Sequence, residues 1–235
     1  MSLNDIDFRN FLKSSATAGQ TDSAHDLAHI QRVVKNAELI LKTEEADPET
    51  VIAAAWLHDC VTLPKNHPDR KKASLLAADK ATGFLKRTSF PEFKIEQVSH
   101  AIEAHSYSAG VPAKTTEAKI VQDADRLDAL GAIGIARCFL VGGSLNRALY
   151  HPDDPFCLQR EPDDTEWNID HFYEKLLKLP HTMNTLSARK EAQRRADFMK
   201  AFLDRLKEEI EYDMREGFTK IEELVVKKGF DFKVR

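Results

Sequence analysis

The sequence predicts an all-α protein, and three observations support this fold class. Apolar residues recur at intervals of three and four along most of the 235 residues, the spacing that buries one face of an α-helix. Val, Ile, Thr and Tyr do not gather into the alternating runs typical of strands, and no Asn-Gly or Asp-Gly pair marks a tight hairpin. Apolar residues at 42% and charged residues at 31% indicate an ordinary globular domain.

Three helices are predicted in the first sixty residues. A short helix covers about 6–13, and a second covers about 24–43. The apolar stripe of the second consists of Leu27, Ile30, Val33, Val34, Ala37, Ile40 and Leu41. The third begins at Asp47, a capping residue followed by Pro48, and is apolar on all sides as far as Leu57, which predicts a central, buried helix.

Seven further helices are predicted downstream, at about 72–87, 92–106, 116–130, 131–149, 165–178, 184–212 and 218–227. Because glycine costs about 1 kcal/mol inside a helix, Gly131, Gly134, Gly142 and Gly143 predict close packing or breaks there. Residues 151–164 hold three prolines and five acidic residues, which predicts a loop that is either a lid or disordered.

The overall composition excludes several classes of protein. A net charge of −4 gives no indication of a nucleic-acid or anionic-membrane partner. Cys60, Cys138 and Cys157 are far apart in sequence, as is typical of a reducing compartment. The start of the chain lacks the pattern of a signal peptide, and the longest apolar stretches, near 51–57 and 133–141, are too short to span a membrane. We therefore expect a cytoplasmic protein that binds neither nucleic acid nor membrane.

A charged dipeptide, His58-Asp59, stands at the end of the most apolar predicted helix. Buried charge is costly unless it is paired or bound to a metal, so the dipeptide is a candidate metal site. The alternative is a histidine that favours the helix dipole at a C-terminus, with Asp59 in solvent. The two residues alone leave both interpretations open.

Two histidines, His25 and His29, are spaced by four residues and share one face of the second predicted helix. This spacing can direct two imidazoles to one metal ion, although it also fits two solvated histidines. His29 lies between Ile30 and Val33 at the margin of the buried stripe, which is the position expected of a ligand that points into a cleft.

Two aspartates, Asp123 and Asp125, lie among apolar neighbours in the predicted helix 116–130. Residues two apart on a helix differ in direction by roughly 200°, so both cannot bind one ion. One is expected to be a ligand and the other to support or cap the structure. The alternative is a solvated acidic face that is balanced by Arg126.

These three patterns occur in an order, H…HD…D, that resembles the HD-domain phosphohydrolase superfamily. More narrowly, the chain resembles short bacterial HD hydrolases that carry HDxxHxxRV, AAxLHD, AHS and QDADRLDALGAIGIAR. The corresponding blocks are 25–33, 54–59, 104–106 and 122–137. The resemblance covers about residues 20–180. It implies an HD-domain helical bundle with additional C-terminal helices: a single domain over 1–235, with a core at about 20–130 and a helical extension at about 165–228.

The resemblance also implies the metal ligands, which are His29, His58, Asp59 and Asp125. Two imidazoles and two carboxylates accept several divalent ions; we expect one ion, with manganese first and Mg, Ni, Fe, Co or Zn as alternatives. Such an ion would activate a water molecule against a phosphate, and Asp59 could orient that water.

Several other residues are candidates to bind the substrate or to assist in catalysis. Because phosphate charge must be neutralised, the loop after the HD dipeptide offers Lys65 and Arg70, and His25 is a further catalytic candidate. By resemblance, Lys175 could reach a distal phosphate. A solvated surface position remains the alternative for each of these cations.

His100 and His105 are candidates to face the substrate. Five residues on a helix separate their side chains by roughly 140°, so we do not expect them to bind one ion together. This spacing disfavours a di-iron oxygenase, which would need extra ligands from this region.

The implied activity is hydrolysis of a small phosphorylated substrate, a nucleotide: a (deoxy)nucleoside triphosphate gives a monophosphate and pyrophosphate. Relatives that cleave monophosphates place an acidic residue three positions after the HD dipeptide, where this chain has Thr62; monophosphatase action is therefore not expected. A non-catalytic module that binds a metal or a nucleotide as a signal remains the alternative. The glycine-rich helix around 131–143 and the long C-terminal helix could form the face of a homodimer.

Overall fold

The computed structural model describes residues 5–15, 27–63 and 67–211, and these residues form nine α-helices. In chain order they are α1 (Asp5–Ser15), α2 (Leu27–Leu41), α3 (Pro48–Leu57), α4 (Ala73–Leu85), α5 (Glu92–His105), α6 (Thr116–Asp128), α7 (Gly131–Ser144), α8 (Asp170–Glu174) and α9 (Leu186–Ile210). Short 3-10 helices cover Arg70–Lys72, Tyr107–Ala109 and Leu176–Thr182. Within these ranges the only extended pairing is an isolated bridge between Ala148 and Trp167. The predicted all-α fold is confirmed.

Helix α3 lies at the centre of the bundle, as its apolar sequence predicts. Every residue from Val51 to Leu57 except Ile52 is buried, and the helix contacts α1, α2, α4, α5 and α6. Its start is held by the Asp47 carboxylate, which accepts a hydrogen bond from the Thr50 N–H at 3.0 Å. Lys94 Nζ lies 2.8 Å from the same carboxylate and so connects α5 to this end of α3.

The remaining helices of the bundle pack in pairs around this centre. Helices α2 and α5 both pack on α6, and α4 packs on α5. As a result, side chains from α2, α5, α6 and the residues that follow α3 meet inside the bundle. This is the region that holds His29, His58, Asp59 and Asp125, four residues of the predicted site.

The glycine that begins α7 marks a sharp change of direction after α6. Gly131 has a φ of 72°, a left-handed conformation that costs glycine little, and the two helices are bent by 69° relative to one another. Among the described residues no single helix has the length and apolar composition to cross a membrane; the bent pair α6 and α7 meets that test by length and composition only.

Two of the predicted helices, 131–149 and 165–178, differ from the helices in the structure. The helix predicted over 131–149 ends at Ser144, because Asn146 adopts a left-handed φ of 56°. The helix predicted over 165–178 is reduced to α8 and a 3-10 helix. The Asn168 N–H donates to the Ala148 carbonyl at 2.9 Å, and the Ala148 N–H donates to the Glu166 carbonyl at 3.1 Å. This long-range pairing uses backbone groups that a continuous helix over 165–178 would need for its own hydrogen bonds.

Gly142 confirms the predicted close packing. A Cβ atom at this position would overlap the side-chain amide of Asn168, so the segment before α8 can approach α7 only because residue 142 has no side chain.

The loop predicted at 151–164 is confirmed as non-helical, and it has defined contacts. The Asp154 carboxylate accepts hydrogen bonds from the N–H groups of Leu158 at 2.9 Å and Gln159 at 2.8 Å. Arg160 pairs with the buried Asp170 at the start of α8. Residues 151–164 are therefore ordered in the structure. Their role as a lid remains a hypothesis.

The chain divides into two compact units, Met1–Met199 and Lys200–Arg235. All the side chains of the candidate sites below belong to the first unit. The helix predicted at 218–227 lies outside the described residues, and the organisation of 1–235 as a single domain stays a prediction.

Candidate metal centre

Four predicted ligands converge inside the bundle. His29 Nε2 lies 3.3 Å from His58 Nε2 and 3.4 Å from Asp125 Oδ1. Asp59 Oδ2 lies 3.7 Å from each of these imidazole nitrogens, and Asp125 Oδ1 lies 4.0 Å from His58 Nε2. Both imidazoles are fully buried, whereas the Asp125 side chain is 29% exposed. The cluster therefore has a buried histidine side and an open carboxylate side.

The spacing of these atoms fits a divalent cation. Ligand-to-metal bonds of about 2.0–2.2 Å hold neighbouring ligand atoms about 3–4 Å apart, and the observed separations run from 3.3 to 4.0 Å. Two carboxylates and two imidazole nitrogens also form a donor set that several divalent ions accept. His29, His58 and Asp125 lie close enough together to share one ion.

Hydrogen bonds on the far side of each ring present Nε2 to the cluster. His58 Nδ1 lies 2.8 Å from the Ala55 carbonyl, and His105 Nδ1 lies 2.6 Å from the Ile102 carbonyl. Because a carbonyl can only accept, Nδ1 carries the proton in both rings. In each case the carbonyl lies three residues earlier at a helix end, so the local helix geometry fixes the ring.

His29 is held differently, by the buried carboxylate of Asp128. His29 Nδ1 lies 2.7 Å from Asp128 Oδ2, an arrangement that orients a metal-binding histidine and raises its basicity. Arg32 Nε also donates to Asp128 at 2.7 Å, and an Arg137 N–H donates to it at 2.7 Å. Asp128 did not emerge as a site residue from the sequence. Asp128 lies three residues after Asp125, about one turn along the same helix. That spacing could have indicated that the two carboxylates lie on the same side of the helix.

The charges in the cluster shift the ordinary pKa values of its residues. Burial lowers the pKa of His58 to about 4, which favours the neutral ring that a metal requires. Burial also opposes a charge on His29, but Asp128, Asp59 and Asp125 outweigh it and raise its pKa to about 9. Burial acts to raise the pKa of Asp128, yet its hydrogen bonds to His29 and Arg32 lower it to about 2. The carboxylates thus already favour a positive charge at the position where a cation would bind.

His105 extends the cluster on the side of Asp59. Its Nε2 atom lies 3.5 Å from Asp59 Oδ1, and its ring meets the His58 ring edge-on at 4.9 Å between centroids. His58, Asp59 and His105 form a second group that could hold an ion. His100, one and a half turns earlier, accepts a hydrogen bond from the Lys114 N–H at 3.1 Å in an exposed position. The two histidines face different directions, as their spacing predicts.

Asp123 lies on another side of α6 and is fully buried. Its carboxylate accepts hydrogen bonds from the N–H groups of Asn184 and Thr185, at 2.9 and 2.8 Å, and from the hydroxyl of Thr185 at 2.8 Å. These two residues immediately precede α9. Of the two aspartates, Asp125 is therefore the one in the cluster, and Asp123 anchors the approach to α9.

The other candidate residues are placed less centrally or lie outside the described residues. His25 and Lys65 are among the residues that the structure does not describe. Arg70 donates to the Leu63 carbonyl at 2.8 Å, and its 3-10 helix touches the one that follows His105. Lys175 is exposed at the end of α8.

Comparison with known proteins identifies the family of the chain. The HD domain family matches residues 26–130. YpgQ of Bacillus subtilis (strain 168) is 35% identical over 192 residues, which cover 80% of this chain and 85% of YpgQ. The chain belongs to the HD-domain superfamily.

Solved structures of relatives share the architecture. An HD-superfamily hydrolase from Bacillus thuringiensis matches with a TM-score of 0.66 and 33% identity, over 88% of this chain and 97% of that one. The crystal structure of B. subtilis YpgQ in complex with ADP matches with a TM-score of 0.65 and 31% identity, over 87% of this chain and 93% of that one.

Proposed function

We propose that this protein is a metal-dependent phosphohydrolase that converts a (deoxy)nucleoside triphosphate and water into a monophosphate and pyrophosphate. The observation that carries the proposal is the convergence of two Nε2 atoms and two carboxylates at spacings that suit one divalent ion. The ADP complex of B. subtilis YpgQ supports a nucleotide as the substrate class.

His29, His58, Asp59 and Asp125 would hold the ion, for which manganese is our first expectation. When bound, it would polarise a phosphoryl oxygen and lower the pKa of a coordinated water towards neutrality. Asp128 keeps His29 in the required orientation through the 2.7 Å hydrogen bond. His58 needs no such partner, since the end of α3 already fixes its ring.

Asp59 is the residue best placed to orient the attacking water. Its Oδ2 atom faces the two imidazoles at 3.7 Å and its Oδ1 atom faces His105 at 3.5 Å, so the side chain has a defined direction. The water oxygen bonds to the α-phosphorus, the bond to the α,β-bridging oxygen breaks, and pyrophosphate leaves with that oxygen. The water proton passes to the Asp59 carboxylate.

The remaining charge of the triphosphate needs cations. Arg70 has structural support for this role, because its 3-10 helix touches the segment that follows His105. The proposal includes two further catalytic candidates, Lys65 and His25. It also includes three substrate-binding candidates, which are His100, His105 and Lys175.

The direct test is pyrophosphate and phosphate release from a panel of ribo- and deoxyribonucleotides. The protein is stripped of metal and restored with Mn, Co, Ni, Mg or Zn, beside a His58→Ala variant. His181→Ala is the matched control, since His181 is exposed on the 3-10 helix before α9. We expect pyrophosphate release that needs metal, is lost in His58→Ala and persists in His181→Ala.

Two other outcomes would replace the proposal. Tight metal binding with no turnover of any nucleotide would favour the binding-module alternative. Two ions per chain by elemental analysis, with His105→Ala reducing the count to one, would favour the two-metal arrangement that an oxygenase needs.

A further inference from the structure

A cavity of about 390 Å³ lies between α2, the start of α7 and α9. None of the four proposed metal ligands lines it, although Asp128 does. Asp128 meets His29 at Nδ1, whereas the candidate metal centre forms at Nε2. The cavity is therefore separated from that centre by the His29 ring and the Asp128 carboxylate.

The cavity wall is strongly cationic. Arg32, Lys35, Arg194 and Arg195 line it together with a single carboxylate, Asp128. Asp128 is shared between His29, Arg32 and Arg137, and Glu191 accepts hydrogen bonds from both Arg194 and Arg195. Two carboxylates therefore balance the four cations only in part. Lys35 is exposed and forms no ion pair with any acidic residue in the described ranges. The net charge of the lining favours an anion.

The first turn of α7 adds backbone donors to the same cavity. Gly131, Ala132 and Ile133 line it, and the residue before them, Leu130, provides no side-chain cap. The first N–H groups of a helix have no acceptor within the helix and carry the positive end of its dipole. An uncapped helix start beside four cations is an arrangement that suits a phosphate group.

Two of the cations, Arg32 and Arg195, are held in place before any ligand arrives. Arg32 donates two hydrogen bonds to Asp128, at 2.7 and 3.0 Å. Arg195 donates to Glu191, to the Leu127 carbonyl at 2.7 Å and to Asn36 Oδ1 at 3.1 Å. Gly131 lets the start of α7 come close to this side chain, because a Cβ there would lie 3.2 Å from Arg195 Cγ. A wall whose side chains are already ordered loses little conformational entropy when it binds a ligand.

An apolar surface completes the cavity. Ile133 and Phe198 line it and are 41% and 54% exposed, so both side chains offer apolar surface to a ligand. A ligand with a phosphate group and a flat apolar portion would contact both the cationic wall and these two residues.

We propose that this cavity is a second binding site, separate from the candidate metal centre, for a phosphate-bearing small molecule of the nucleotide class. The proposal does not depend on the proposed phosphohydrolase activity, because binding here needs neither the metal nor turnover.

The test is calorimetric titration of the full chain, kept in chelator, with inorganic pyrophosphate and separately with AMP. Ile133→Glu places a carboxylate in the first turn of α7, where it favours the helix dipole and so keeps the fold, but repels an anion. Ile133→Gln is the matched neutral control. We expect affinity to fall by at least about tenfold in Ile133→Glu, since like charges in a binding site are strongly unfavourable, and to change by less than about twofold in Ile133→Gln.

Three further variants define the location. Lys35→Glu should weaken binding, whereas Lys42→Glu, an exposed lysine just after α2 that does not line the cavity, should not. Asp125→Asn should leave AMP binding intact. Tighter binding of AMP than of pyrophosphate would show that the apolar surface takes part, and equal binding would assign the affinity to the phosphate alone. The proposal is overturned if neither probe binds, if Ile133→Glu and Ile133→Gln bind equally, or if Asp125→Asn abolishes binding.

Discussion

Two faces of α6 carry aspartates only two residues apart, and their surroundings are opposite. Asp123 is buried and accepts hydrogen bonds from backbone and side-chain groups of Asn184 and Thr185. Asp125 is part exposed and faces the imidazole nitrogens of His29 and His58 at 3.4 and 4.0 Å. One carboxylate is satisfied by donors within the protein, and the other faces ligand atoms that need a cation between them. The neighbours of a carboxylate, more than its burial, indicate whether its role is structural or metal-binding.

The largest expected effect comes from Asp125→Asn. This change removes a charged ligand, so metal affinity and pyrophosphate release should each fall by more than the roughly 100-fold that loss of a supporting partner costs. Metal content after dialysis and initial rates of release measure the two losses. Asp123→Asn serves as the matched control and should keep its metal; if it lost the ion instead, the assignment of the two faces would be reversed.

Asp123→Asn should act on stability. The buried amide cannot replace the charged acceptor, and donors of Asn184 and Thr185 would be left without partners. We expect the free energy of unfolding to fall by about 3 kcal/mol, as measured by urea denaturation of the metal-free protein. Asp125→Asn, measured in the same way, should change it far less. Equal losses in the two variants would contradict the distinction between the faces.

A smaller effect is expected for Asp128→Asn, at the end of the same helix. His29 would keep its position beside the cluster but lose the anion that orients it, so metal affinity should fall by about 10- to 100-fold. Competition against a chelating dye measures that loss. Unchanged affinity would mean that packing at the start of α2 alone holds His29.

The sequence was most informative where contacts are local. The cap at Asp47, the buried run to Leu57 and the opposite directions of His100 and His105 all follow from helix periodicity and agree with the structure. The approach of His29, His58 and Asp125 could not be derived from spacing, because it depends on how α2, α3 and α6 pack; family resemblance supplied that expectation.

Other features depend on contacts between residues far apart in sequence, and these were missed. The pairing of Ala148 with the segment before α8 overrode the helical pattern of 165–178. The part played by Asp128 depends on Arg32 and Arg137, which come from different helices. No periodicity in the sequence indicates such a meeting.

Asp128 has a consequence for communication across the protein. Its carboxylate accepts a hydrogen bond from Arg32, which lines the cationic cavity, and is also hydrogen-bonded to His29. A ligand that draws Arg32 towards itself changes the hold on His29, so occupancy of the cavity and of the metal centre would be thermodynamically linked. Such coupling is reciprocal: whatever factor the anion imposes on metal affinity, the metal imposes on the affinity for the anion.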